Sequence, residues 1–321
     1  MNPNALIPNV FNKVNVPNLK CSDGSEYYFL VVPALRPGTQ QIETEKIAIE
    51  FMGSGACVTS GTCKPQCGDF ASLMHDCSDV SVSFLRMAVN RYVGKSPFAL
   101  AKKPVGFIPT DENHPLAKHT NVYITYCTSD AHLGDAVAPV AGGWHFEGAK
   151  NARYVIDWTN HMFPETKELF IHGGSAGAIA VPQWAPTMTH IFNKAQVRTH
   201  ADSGLFFVPG TKAWHNFMAK MPWGFPNKQF EVSGHPVQTP RTMMTWYLDR
   251  AEQYKSRLTQ AWIEASYDFN EWQYNHKFLK ALNAETEDDA LSEPNTAKVI
   301  TTCFPNFYTL LNYKSPFWGF F

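Results

Sequence analysis

Ser175 lies in the run Glu168-Leu169-Phe170-Ile171-His172-Gly173-Gly174-Ser175-Ala176-Gly177-Ala178-Ile179-Ala180, where a short apolar stretch meets two glycines, a serine, a small residue and a further glycine. A strand that feeds a tight turn and then a helix needs this order, and it makes Ser175 a candidate nucleophile. A serine in such a turn is held in a strained conformation with its hydroxyl outward, so it can attack an acyl carbon. Gly173 and Gly177, two residues away on either side, let strand and helix approach. An ordinary glycine-rich turn can carry the same pattern, so the neighbouring elements have to decide.

Those elements alternate. Tyr27 to Val32 is a dense aromatic and β-branched run, Ile47 to Met52 a second strand, and Asn121 to Tyr126 a third, with Pro37-Gly38 turning the chain between the first two. Ala152, Val155, Ile156 and Thr159 share one face at helical spacing, which predicts an amphipathic helix over 151–162 just before the serine strand. Gly53-Ser54-Gly55-Ala56-Cys57 directly follows a strand, so its backbone N–H groups belong at the carboxyl edge of the sheet, where ligands bind. Beyond the elbow, Pro182 and Pro186 are expected to interrupt a helix begun at Ala176 and to open a second one to about Asn193. Val197–His200, Thr242–Leu248 and Lys298–Cys303 read as further strands, Glu252–Ala265 and Glu271–Leu282 as helices, and 209–240 as a lid or pocket wall. The first twenty residues, rich in Asn and Pro, read as a surface arm. Residues 21–321 then form one α/β domain, a largely parallel sheet flanked by helices with an irregular cysteine-containing cover.

Composition narrows the function classes. A net charge of −1 and scattered basic residues argue against a nucleic-acid footprint or a polybasic membrane surface. No apolar run reaches the roughly 18 residues a membrane span needs. Cys57, Cys63, Cys67 and Cys77 fall close together, a density of an oxidising compartment, so secretion is expected, with any targeting segment already removed. There is no Asn-x-Ser/Thr acceptor, so N-glycosylation is not expected. The cysteine spacings lack paired C-x-x-C knuckles, so no metal is expected, and no cofactor either.

Taken in order, the loops resemble those of the pectin acetylesterase and Notum carboxylesterases, an α/β-hydrolase family, and above all its microbial branch. Gly53-Ser54-Gly55-Ala56-Cys57 with Thr62-Cys63 is similar to that branch's G-G-G-A-C-W and T-C motif. Residues Tyr126 to Asp135 resemble its Y-C-T-G-D-x-H-x-G-D loop, and His145 to Ala152 its F-x-G-x-x-N segment. The serine elbow and Asp202-Ser203-Gly204 complete five motifs in the family's order. The resemblance implies an acyl-transfer site with Ser175 as nucleophile and the N–H groups of Ser54, Gly55 and Ala176 as oxyanion hole. It implies Asp249 as triad acid, with Asp202 competing, pocket roles for Asp130, His132, His145 and Asp202, and a Cys57–Cys63 bridge. The implied substrate is a small-molecule or glycan ester, acted on by a monomer.

The C-terminal part departs from that pattern. The position expected to hold the triad histidine carries Tyr308, and His276 is the last histidine. A neutral tyrosine, with a pKa of about 10, is a poor base for a serine hydroxyl. Ser54 replaces the second of three expected glycines, and Val58 the expected tryptophan. Two functions stay open: a serine carboxylesterase with another base, or a divergent relative that uses the pocket for binding or a non-hydrolytic reaction.

Overall fold

The computed structural model describes residues 5–53, 57, 116–138, 143–202, 223–224, 254, 256–263 and 307–310. Its main sheet has eight strands: β1 (Asn12–Lys20), β2 (Glu26–Val32), β3 (Lys46–Phe51), β4 (Thr120–Ile124), β7 (Glu168–Gly174), β8 (Gln196–Asp202), β9 (Leu258–Ile263) and β10 (Phe307–Leu310). They lie in the order β1-β2-β4-β3-β7-β8-β9-β10, while β5 (Ala136–Ala138) and β6 (Trp144–Phe146) form a separate hairpin. β1 and β2 are antiparallel to their neighbours, and every pair from β4 to β10 is parallel. With its helices this is an α/β-hydrolase-like fold.

Two helices pack on one face. α1 (Gly148–Met162) buries Ala152, Val155, Ile156 and Thr159, the stripe read from spacing. α2 (Ala176–Ile191) is buried almost throughout, and its Trp184 stacks on Phe51 of β3. The α2 face therefore carries Ile47, Ile49 and Phe51 of β3, Leu169 and Ile171 of β7, and Val197 and Ala201 of β8, all buried. Strand alternation sends Glu50, His172 and His200 to the opposite face.

Three sequence expectations are corrected. Residues 12–20, read as part of an arm, form the edge strand β1, with Val14, Val16 and Leu19 turned inward and buried. α2 is continuous through Pro182 and Pro186. Burial on all sides offsets the lost hydrogen bonds that make proline a breaker in a solvated helix. The segment predicted as a helix over 252–265 contains β9, held between β8 and β10, where pairing on both edges overrides local preference. The strands expected over 242–248 and 298–303, the helix over 271–282 and most of 209–240 lie outside the described residues.

One disulfide joins Cys21, in the β1–β2 turn, to Cys127 after β4. Cys57 is also disulfide-bonded, to a cysteine outside the described residues, and Cys63 lies there too. A cross-link spanning 106 residues restricts the unfolded chain strongly. The double variant Cys21→Ala/Cys127→Ala is expected to lose roughly 4 kcal/mol in urea unfolding. A loss below about 1 kcal/mol would show that native contacts alone hold the two loops together.

Candidate active site

Ser175 occupies the turn between β7 and α2 with φ 52° and ψ −122°, a conformation that non-glycine residues rarely adopt. Holding it costs on the order of 1–3 kcal/mol, which the packing around the turn must offset. Its N–H donates to the Asp202 carbonyl (2.9 Å), and its own carbonyl accepts from Ala178 (2.9 Å). The glycines around it are set by contact. A Cβ on Gly173 would meet the Gly177 backbone, one on Gly177 the Phe51 carbonyl, and one on Gly53 the Gly174 carbonyl. Gly174 is different: its nearest neighbour would be the Asp202 carbonyl oxygen at 3.9 Å, an ordinary contact.

The glycine loop after β3 therefore starts against the elbow, since a Cβ on Gly53 would stand 3.3 Å from that of Ser175. Ala176, the first residue of α2, carries an N–H that has no partner within the helix, as at every helix start, and can face developing negative charge. Ser54 and Gly55 lie outside the described residues. Cys57 fixes the far end of that loop. Its N–H donates to the Ser129 carbonyl (2.7 Å), and its carbonyl accepts the Trp223 indole N–H (2.8 Å). Trp223 in turn accepts at its carbonyl from Asp135 N–H (2.8 Å), so it links the loops after β3 and β4. In sequence, Trp223 falls within the stretch 209–240 that reads as a lid or pocket wall.

Asp130 and His132 hold the loop after β4 together. The buried Asp130 carboxylate accepts from Thr128 Oγ1 (2.7 Å), His132 N–H (3.1 Å) and Gly148 N–H (2.8 Å), which ties the loop to the start of α1. Burial pushes its carboxyl up to about 6 in spite of those donors. Ser129, Ala131 and His132 all have positive φ, near 55°, and the Asp130 bonds offset that strain. His132 Nε2 lies 2.7 Å from the Met52 carbonyl, which can only accept, so the ring carries its proton there. Its own carbonyl accepts the Trp184 indole N–H, and its ring packs on Phe51 and Tyr126. Burial lowers its pKa to about 4, so His132 is a neutral structural ring.

His145 lies in β6 beside the β1–β2 turn, with its N–H donating to the Ser22 carbonyl and its ring against Gly24. A further histidine pair went unnoticed in the sequence. His172 and His200, paired across β7 and β8, meet Nδ1 to Nδ1 at 3.1 Å. Burial holds both below the usual histidine range. Alternation along two adjacent strands was the available signal. Asp202 ends β8 next to the elbow and binds it through its main chain. Among the described residues no side chain hydrogen-bonds the Ser175 hydroxyl.

Asp249 and His276 lie outside the described residues. Tyr308 stands inside β10, in register with Ala261 of β9.

Residues 108–221 match the family model of the pectinacetylesterases. The matched stretch holds the loop after β4, α1, the elbow, α2 and β8. This pectinacetylesterase match supports the resemblance read from the five motifs, and the three that precede or form the elbow after β4 fall inside it, as does Asp202-Ser203-Gly204. It stops before β9 and begins after the glycine loop that follows β3. No curated protein matches the chain.

Two predictions follow from these contacts. Gly174→Ala is expected to stay within about 1 kcal/mol of wild type in thermal unfolding, whereas Gly177→Ala and Gly53→Ala lose several-fold more, because backbone has to move. Equal losses at all three positions would contradict the close approach at the elbow. Neutral His132 contributes stability that is fully present above pH 6.5 and is lost as pH falls toward about 4. The advantage of wild type over His132→Asn is therefore expected to shrink across that range, by up to about 3 kcal/mol in urea titrations. A gap that does not change with pH would mean the ring is not held neutral.

Proposed function

We propose that the protein is a serine carboxylesterase that removes an acetyl or other short acyl group from an alcohol ester. The observation that carries this is the backbone of Ser175, strained at φ 52° in a strand-to-helix turn, inside a stretch matching the pectinacetylesterases. The matched family supports acetyl-ester hydrolysis in general.

Ser175 Oγ attacks the ester carbonyl carbon, and the resulting oxyanion is met by N–H groups of Ala176, Ser54 and Gly55. The serine proton passes to a general base and then to the departing alkoxide. Water repeats the attack on the acyl-serine and releases the acid. His132 is disfavoured as that base by its bond to Met52 and its depressed pKa, and His145 by its place beside the β1–β2 turn. Chain order favours a different acid from Asp249. In this family the acid follows a late strand; β9 ends at Ile263, Asp268 is the first aspartate after it, and Asp249 precedes it. We assign Asp268 as acid and His276 as base, which gives the order Ser, Asp, His found in α/β-hydrolases. The substrate is a small-molecule or glycan ester. The bonded Cys21, Cys127 and Cys57 support an oxidising compartment.

A second function, ligand binding without hydrolysis, is favoured by one observation: Tyr308 stands in the position where the family's triad histidine is expected, and a neutral tyrosine is a poor base. A fluorophosphonate probe separates the two, because it labels only an activated serine. Labelling of wild type and none of Ser175→Ala is expected, together with hydrolysis of an aryl acetate. Asp268→Asn and His276→Ala should lower turnover by about a thousandfold or more, and Asp249→Asn should leave it nearly unchanged. Loss of activity in Asp249→Asn but not Asp268→Asn would return the acid to Asp249, and an unlabelled wild type would favour the binding function.

A further inference from the structure

An oxyanion hole assembled from Ala176 on one side and Ser54 and Gly55 on the other draws its N–H groups from two distant parts of the chain. Such donors work only when their spacing is tightly held. The end of β3, where the glycine loop begins, must therefore be registered against α2, which starts at the elbow.

One attachment is direct. A Cβ on Gly177 would meet the Phe51 carbonyl, so α2 and β3 touch backbone to backbone there. Contact at one point fixes the approach but leaves the end of β3 able to rotate about it. The second attachment runs through a single residue. His132 donates from its ring Nε2–H to the carbonyl of Met52 (2.7 Å), the residue before Gly53. Its own main-chain carbonyl accepts the Trp184 indole N–H (3.0 Å), about two turns along α2. The His132 ring lies edge-on to Phe51 with centroids 5.3 Å apart, and Phe51 stacks on Trp184 at 6.4 Å, so three buried rings pack together where β3 meets α2.

His132 holds this place in a costly conformation. Its φ is 58°, a region that non-glycine residues adopt rarely and that persists only where the surroundings over-determine it. The Asp130 carboxylate contributes to that by accepting the His132 N–H at 3.1 Å. A lone buried carbonyl can be met by a water or a backbone N–H, so satisfying Met52 requires neither the strained backbone nor the bond to α2. The same segment also holds the far end of the glycine loop, through the Ser129 carbonyl and the Cys57 N–H (2.7 Å).

We infer that His132 is the strut that registers the two halves of the oxyanion hole, bonded through its carbonyl to α2 and through its ring to the residue before the glycine loop. It is a positioning residue, and its effect on turnover rests on Ser175 acting as the nucleophile of an esterase. The strut itself does not depend on that.

Met52–Gly53 is the one Met–Gly pair in the chain, so carbonyl-13C methionine combined with 15N glycine isolates a single NMR signal for the Met52 carbonyl. His132→Leu removes the ring donor and is expected to move that signal. His132→Gln, whose amide reaches about as far as Nε2, should return it most of the way. In aryl acetate hydrolysis His132→Leu should lower kcat by roughly ten- to a hundredfold, with KM within about threefold of wild type, because the loss falls on the transition state. His132→Gln should recover most of that kcat. Should His132→Leu fail to fold, Trp184→Phe deletes the other bond while keeping an aromatic ring, and is expected to lower kcat several-fold at unchanged KM. An unmoved Met52 signal in His132→Leu, equal kcat in the Leu and Gln variants, a loss confined to KM, or unchanged turnover in Trp184→Phe would each overturn the proposal. A signal that moves and is rescued, in a protein that no fluorophosphonate labels, would keep the strut and defeat only the esterase function.

Discussion

Everything at the candidate site depends on how closely β7, the turn at Ser175 and α2 approach the end of β3. The Phe51 carbonyl stands where a side chain on Gly177 would be, and the Gly174 carbonyl where one on Gly53 would be. Four backbone segments therefore meet with nothing between them. This closeness is why the strained conformation of Ser175 persists: the turn cannot relax without pushing β3 or α2 apart, and both are anchored in the core through Phe51 and Trp184. The same closeness brings the start of the glycine loop beside the serine, as an oxyanion hole needs.

The loop after β4 supports that contact from the side. Its polar residues look like pocket chemistry in one dimension, yet Asp130 and His132 point into the protein and satisfy backbone groups. Asp130 gathers three donors, and His132 caps the Met52 carbonyl next to the glycine loop. Trp223 and Cys57 close the same assembly from the other side. A hydrolase pocket needs such buried polar supports, because loops that carry function have few apolar contacts of their own to hold them in place.

The sheet contributes in a less usual way. Its α2 face is packed with Ile, Val, Leu and Phe, while its other face carries the Tyr123, Glu50, His172 and His200 row. Buried ionisable groups weaken a core unless they are hydrogen-bonded, so their alignment beneath the elbow has to be offset by the bonds they make.

Local pattern alone determined the parts of this protein whose physics is local. The elbow was legible because strand, glycine, serine, glycine and helix follow each other within thirteen residues, and α1 because its apolar stripe repeats at helical spacing. β2, β3 and β4 were legible from dense β-branched and aromatic runs. Tertiary structure alone decided the rest. β1 became a strand because β2 offered it an edge, and α2 ran through two prolines because it is enclosed. β9 formed in a segment whose local pattern is helical because β8 and β10 pair with it on both sides. Cys21 chose Cys127 across 106 residues, a pairing no spacing rule contains. Asp130 and His132 became supports, and His172 and His200 became partners, because roles of polar side chains are set by which backbone groups and rings the fold brings within about 3 Å, and that depends on contacts between distant parts of the chain.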